Sequence, residues 1–270
     1  MNPVLPIAAG RTARAASVAV ACLAGYRLLT NKNPAPTIVL CVNAAITAAL
    51  CLDLVAAFYG PCNIGYPGLY TRMENAEGKA ALTFDDGPDP RTTLRLLDIL
   101  DRYDAKATFF FLGEKCALHP ELVKQTLGRG HSVAMHGYTH IPLAFKSRSF
   151  VRSQIIRNAA QLNGEVLPYF RPPYGFKSAV VRDVCKAQGV LLTTWSINPK
   201  DYLEPEPDEI SRRIISKLHG GAIILLHEWV EATHIALPGI LEQMRSCGYE
   251  PSTLPAVPRG TFRRQELFKS

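Results

Sequence analysis

The 270-residue chain has no Cys-x-x-Cys pair; its seven cysteines are scattered and odd in number. That pattern argues against a disulfide framework and against a thiolate zinc site, so the thiols read as small buried hydrophobes. Charge of either sign is scarce at the start. Residues 1–78 hold five basic side chains (Arg11, Arg14, Arg27, Lys32, Arg72) and three acids (Asp53, Glu74, Glu77). No nucleic-acid recognition motif accompanies the net charge of +7, and no nucleic-acid partner is expected. A convincing signal-cleavage site is also missing.

What fills the charge-poor start is two apolar runs. Residues 38–59 form a 22-residue run, interrupted by Asn43, Thr47 and Asp53. As a helix it is long enough for a hydrocarbon core of about 30 Å. An aspartate well inside a span costs on the order of 2.5–3.5 kcal/mol, but Asp53 lies towards one end. The shorter run, residues 15–29, contains Arg27 and reads as a second span or an interfacial helix. If the second run alone spans, the four cations before it place the N-terminus in the cytoplasm and the rest outside. If both span, the remainder returns to the cytoplasmic side. The expected organisation is membrane-associated helices over 1–60, a Pro/Gly-containing linker over 61–78, a catalytic domain over 79–250 and a tail over 251–270.

Within 79–250 the pattern alternates. Strands are predicted at 79–84, 107–112, 132–135, just before Arg171, at 190–195 and at 222–226. Helices are predicted at 92–103, 120–129, 150–164, 178–188, 207–218 and 236–246. Repeated strand–helix units imply parallel strands with helices outside. This pattern alone does not separate a barrel from a doubly wound open sheet.

The chemistry-bearing residues follow the strands. Thr83-Phe84-Asp85-Asp86-Gly87-Pro88 puts two adjacent carboxylates where an apolar run gives way to a turn. His136-Gly-Tyr-Thr-His140 puts two imidazoles four residues apart. In a helix or turn that spacing is roughly 6 Å of rise; in a strand it would be about 13 Å, too far for one ion. Two imidazoles and one distant carboxylate make a facial set of three ligands with open positions, as catalytic zinc sites have. Side chains of neighbouring residues at a strand end diverge, so one aspartate can ligate while the other acts as a base.

Further motifs follow in order: Arg171-Pro-Pro-Tyr174-Gly175, Trp195-Ser-Ile-Asn198-Pro-Lys-Asp201-Tyr202 and Ile223-Ile-Leu-Leu225-Leu-His227. With these five motifs the chain resembles the polysaccharide deacetylase family (the NodB homology domain, carbohydrate esterase family 4) over about residues 79–249. The resemblance implies an α/β fold, an irregular (β/α) barrel of about seven strands. It implies Asp86, His136 and His140 as ligands of a divalent ion, zinc first, with cobalt or another divalent ion as alternatives. It implies Asp85 as general base, Arg171 as the cation that pairs with it, and the Tyr174 backbone N–H as an oxyanion donor. His227 resembles the general acid and Asp201 its supporting carboxylate, while Leu225 and Tyr202 line the acyl pocket. Two positions depart from the family pattern: Asn198 stands where an aspartate is usual, and Tyr202 where a tryptophan is usual.

The implied activity is metal-dependent hydrolysis of the acetamido group of an N-acetylated glycan or lipid-linked amino sugar. The competing readings are a deformylase or deacylase of a lipid-linked sugar and a catalytically silent sugar-binding protein. A glycosidase needs two carboxylates about 5–9.5 Å apart across the scissile bond, which adjacent aspartates do not offer. The basic stretch 145–157 reads as a solvated helix face, with contact to anionic lipid as the sharper alternative.

Overall fold

The computed structural model describes residues 27, 35–59, 68–162 and 166–256, without the side chains of residues 46 and 49–59. Two compact units divide the chain after Pro67. In the first, the longer apolar run lies within a helix, Pro36–Tyr59. Among the described residues no helix is long and apolar enough to cross a membrane. The shorter apolar run, apart from residue 27, and residues 60–67 lie outside the described residues.

The second unit is built on seven parallel strands: β1 (Lys79–Asp85), β2 (Thr108–Phe111), β3 (Ser132–Met135), β4 (Val166–Phe170), β5 (Leu191–Leu192), β6 (Ile223–His227) and β7 (Glu250–Ser252). The order is β5-β4-β3-β2-β1-β6, with β7 also on β1. One parallel bridge between Ile197 and Ile224 links the segment after β5 to β6, so the sheet curls into an irregular (β/α) barrel.

Strand periodicity sorts the side chains into two environments. Ala80, Leu82 and Phe84 of β1, Phe109 and Phe111 of β2, Val133 and Met135 of β3 and Ile224 and Leu226 of β6 share one core with the helices. Burying each large side chain of this set contributes roughly 1.5–3 kcal/mol. The alternate positions face the other way. There Ala81, Phe110, Ala134, Tyr169 and Ile223 form a smaller cluster. The same alternation carries Thr83, Asp85, His136, Arg171, Leu225 and His227 onto that inner face at the strand ends.

The helices form where the apolar spacing matches 3.6 residues per turn. Helix Thr93–Arg102 buries Leu96, Leu97, Ile99 and Leu100. Helix Arg148–Gln161 is capped by Ser147, whose hydroxyl accepts the Phe150 N–H. This helix buries Val151 and Ile155, while Arg148 pairs with Asp183 and Arg157 lies over the Tyr138 ring. Two of its basic residues are thus tied to neighbours on the barrel.

Several expected boundaries move. The last long helix is Glu231–Ser246 and begins five residues before the predicted 236. Pro238 suggests a helix start, since proline suits a first turn, but Thr233 and His234 are already buried on the same face as Leu237, Ile240 and Leu241. The predicted strand at 190–195 shrinks to two residues: the Thr193 N–H still donates to the Phe170 carbonyl of β4 at 2.8 Å, and beyond it the chain turns to Tyr70, whose carbonyl accepts the Thr194 N–H at 3.0 Å. The short helix Gly113–Leu118 was not legible in the pattern. Residues 251–254, read as the start of a tail, belong to the barrel: β7 pairs with β1, and the Leu254 N–H donates to Thr108 Oγ1 at 2.8 Å. Residues 68–78, read as linker, are likewise tied in, with bridges from Tyr70 to Thr193 and from Arg72 to Ala222 and with Met73 buried.

Candidate active site

The two aspartates leave β1 by different routes. Asp85 is the last strand residue and is buried on the inner face. Asp86 adopts φ 75°, a left-handed conformation that redirects its side chain relative to its neighbour. Gly87 follows for steric reasons: a Cβ there would stand 1.9 Å from Glu228 Oε2 and 2.7 Å from the Phe111 ring. The Asp86 carbonyl accepts from Lys115 Nζ at 2.7 Å, so the turn is held on its far side as well.

The histidine motif is a bend after β3, not a helix. Gln154 Oε1 accepts the backbone N–H groups of Tyr138 and Thr139, both at 2.9 Å, and Asn158 Nδ2 donates to the Gly137 carbonyl at 2.8 Å. That scaffold brings the His136 and His140 rings to 5.4 Å between centroids. Both Nε2 atoms stand 3.2 Å from Asp86 Oδ1. The ligand atoms of Asp86, His136 and His140 all lie within 4.8 Å of one another.

Three observations test whether this triad suits a metal ion. Asp86 Oδ1 is buried without a well-aligned hydrogen bond, which is costly unless a cation completes it. His136 Nδ1–H donates to the Arg171 carbonyl at 2.8 Å, which fixes the ring and leaves Nε2 as the free electron pair. Burial lowers the His140 pKa, against the opposing pull of Asp86, a direction that favours the neutral form a ligand requires. One oxygen and two imidazole nitrogens suit zinc or cobalt.

Two further pairs stand beside the triad. Arg171 is fully buried and donates from Nη1 to Asp85 Oδ1 at 2.6 Å and to Thr83 Oγ1 at 2.9 Å, and from Nη2 to the Thr194 carbonyl at 3.0 Å. Its guanidinium lies 4.0 Å from the Phe110 ring centroid. Asp85 Oδ2 is 3.8 Å from His136 Nε2. On β6, in register with Asp85, His227 Nδ1 contacts Asp201 Oδ1 at 2.8 Å. Asp201 is fully buried, and its Oδ2 accepts from the His227 N–H and the Thr233 hydroxyl. Burial works against the imidazolium, yet the hydrogen bond and charge of Asp201, with Asp85 and Asp86, raise the His227 pKa above its ordinary 6.5.

The remaining sequence-predicted residues surround these groups. Tyr174 has φ 61°, and its exposed ring packs 4.4 Å from His140. Gly175 closes against Trp195, where a Cβ would meet the ring at 2.4 Å. Leu225 is buried on β6. Tyr202 sets its ring edge-on to His227 at 5.4 Å. Asn198 accepts the Lys200 N–H at 2.8 Å, shaping the turn that delivers Asp201.

Sequence reasoning missed Glu228 and Trp229, although both directly follow His227 at a barrel strand's C-terminal end, where functional residues concentrate. Glu228 is buried and accepts from the Asp89 N–H and the Thr93 hydroxyl. Burial pushes its carboxyl up to about 7 despite those hydrogen bonds. Trp229 Nε1 donates to Asp86 Oδ2 at 2.9 Å.

The sequence model described as polysaccharide deacetylase matches residues 72–192. A peptidoglycan-N-acetylglucosamine deacetylase of Bacillus cereus is 33% identical over 194 residues, covering 69% of this chain and 91% of that protein. The peptidoglycan-N-acetylglucosamine deacetylase PgdA of Listeria monocytogenes is 33% identical over 73% of this chain, which spans only 42% of its length. Among solved structures, a family 4 carbohydrate esterase from Streptomyces lividans superposes with a TM-score of 0.61 at 32% identity, over 64% of this chain and 91% of that one. A Bacillus anthracis protein described as a CE4 family pseudoenzyme gives 0.65 at 26% identity, over 70% of this chain and 68% of that one. Shared sequence over nearly the whole Bacillus cereus relative, together with five motifs gathered at one end of the same barrel, makes this chain a member of the polysaccharide deacetylase family.

Proposed function

We propose that the protein is a metal-dependent N-deacetylase that hydrolyses the acetamido group of an N-acetylated glycan to an amine and acetate. Fold likeness does not carry this reading, because a pseudoenzyme shares the fold. What carries it is the full side-chain set: a ligand triad flanked by a carboxylate paired with arginine and an imidazole paired with aspartate.

Asp86, His136 and His140 would hold a divalent ion, zinc in the first instance, which supplies Lewis-acid polarisation and acidifies water. Asp85, oriented by Arg171, takes the proton from the attacking water. The Tyr174 backbone N–H stabilises the charge that develops on the acyl oxygen. The His227 Nδ1–H is engaged by Asp201, so Nε2 carries the proton that passes to the departing nitrogen. Without that proton the leaving group would be an amide anion. Leu225 and Tyr202 form the wall against which a small acyl group fits, and the relatives' peptidoglycan and chitooligosaccharide substrates support a polymeric amino sugar.

The test is acetate release from chitooligosaccharides and peptidoglycan fragments, with formate measured in parallel on lipid-linked amino sugars. Chelation should abolish release and zinc restore it, and His136→Ala should lose both bound metal and turnover. Full activity in His136→Ala would end the assignment.

We further propose membrane association through the apolar run 38–59, whose backbone is helical; the barrel lies on the extracytoplasmic face where that run alone crosses, with the four cations before it held inside. The full chain should remain with membranes after an alkaline carbonate wash. Release into the wash would remove this part of the proposal.

A further inference from the structure

The segment that follows β6 does more than carry His227. Asp86 has two carboxylate oxygens in different circumstances. Oδ1 faces the two imidazoles at 3.2 Å each and lacks a well-aligned hydrogen bond. Oδ2 accepts the indole N–H of Trp229 at 2.9 Å. The backbone of the same residue is anchored separately, through its carbonyl, by Lys115. Trp229 is itself placed by the strand: its ring lies 6.1 Å from that of His227, and the preceding Glu228 N–H donates to the Asp85 carbonyl at 3.1 Å.

A free carboxylate can bind a cation through one oxygen or both. An N–H donor on one oxygen biases that choice: each oxygen keeps a second lone pair, but the rotation that would bring both oxygens forward to the ion breaks the hydrogen bond. From this geometry we infer that Trp229 is a positioning residue for the metal ligand: it fixes Asp86 in a one-oxygen mode, with Oδ1 towards His136 and His140. The inference rests on the reading of the triad as a metal site and adds a residue that the motif comparison did not supply. It also couples the two halves of the site, because one short segment positions both His227 and the ligand carboxylate. Groups that orient metal ligands typically change metal affinity by about 10- to 100-fold when removed.

The test uses the full chain, with zinc as the probe and a chelator of known affinity in competition. Trp229→Phe keeps the ring and deletes the N–H, and Trp229→Ala deletes both. Both should bind zinc about 10- to 100-fold more weakly than the parent, with the thermal midpoint of the metal-free protein unchanged, and excess zinc should restore turnover. Parent-like zinc affinity in Trp229→Phe would overturn the inference, and so would a loss confined to Trp229→Ala, since that pattern reports ring packing rather than the hydrogen bond. A second measurement reads the hydrogen bond in the parent chain, with Trp229→Phe needed only to assign the signal. The sequence has two tryptophans, so a ¹⁵N-labelled sample shows two indole N–H signals, and the one absent from Trp229→Phe should be protected from solvent exchange and should move on zinc addition. A freely exchanging signal that zinc leaves in place contradicts the inference. Failure of the parent itself to bind zinc would instead remove the metal site, a distinct result.

Discussion

Replacing Arg171 with methionine should destabilise the barrel by about 3–5 kcal/mol, the usual effect of leaving one member of a buried ion pair without its partner. Methionine keeps much of the stem that packs on Phe110 but removes every hydrogen bond to Asp85, Thr83 and the Thr194 carbonyl. Asp85 is then a buried carboxylate without its guanidinium partner. Turnover should fall with stability, since the same contact orients the proposed base. Arg171→Lys should be intermediate: it restores a charge but not the planar fork that reaches Asp85, Thr83 and Thr194 together. Urea unfolding of the three proteins provides the measurement. An unfolding free energy for Arg171→Met within about 0.5 kcal/mol of the parent, the scatter of ordinary surface changes, would contradict the account.

The second large effect is expected at His227. Removal of a general acid costs about 100- to 10,000-fold in rate, and since His227 is not among the triad, His227→Ala should retain its metal while losing turnover. Loss of metal as well would show that the two roles are not separable. Asp201→Asn gives the pH signature. The imidazole pKa is raised, against burial, first by the hydrogen bond and charge of Asp201. Activity that needs the protonated ring is therefore present at lower pH and disappears as pH rises through the raised value. Without the Asp201 charge the loss should begin at lower pH. Folding stability follows the same sign: the contribution of this pair is complete below the ordinary imidazole value of 6.5 and fades above it. An unmoved alkaline limb in Asp201→Asn would refute the pairing as its origin.

Much of this arrangement was legible in the chain because it is local. A buried strand followed by Asp-Asp-Gly-Pro announces a turn, and two histidines four residues apart can offer one ion two nitrogens; each is an ordinary pattern alone, and their occurrence together with three further motifs in order pointed to a site. The parallel architecture was legible from alternating strand and helix patterns, while the barrel itself needed the family resemblance. What could not be read depends on distant neighbours. Gln154 and Asn158 look like ordinary helix residues until the bend at 136–140 is laid against them. The Pro238 helix starts early because tertiary burial of Thr233 and His234 outweighs a local start signal. Strand β7 is three residues long with a proline in its centre, and only its pairing with β1 identifies it. Trp229 had no spacing signal at all, since its partner Asp86 is 143 residues away.

The tight fit between Gly87 and the Glu228 carboxyl has a consequence for how such a chain can vary. Any bulk added at the first position meets both the second and the Phe111 ring, and shortening the second alone takes the acceptor from the Thr93 hydroxyl and leaves the Asp89 N–H with Thr93 Oγ1 at 2.8 Å. A side chain at position 87 therefore needs room from two neighbours at once, Glu228 and Phe111, so no single exchange opens the turn that sets the proposed ligand Asp86.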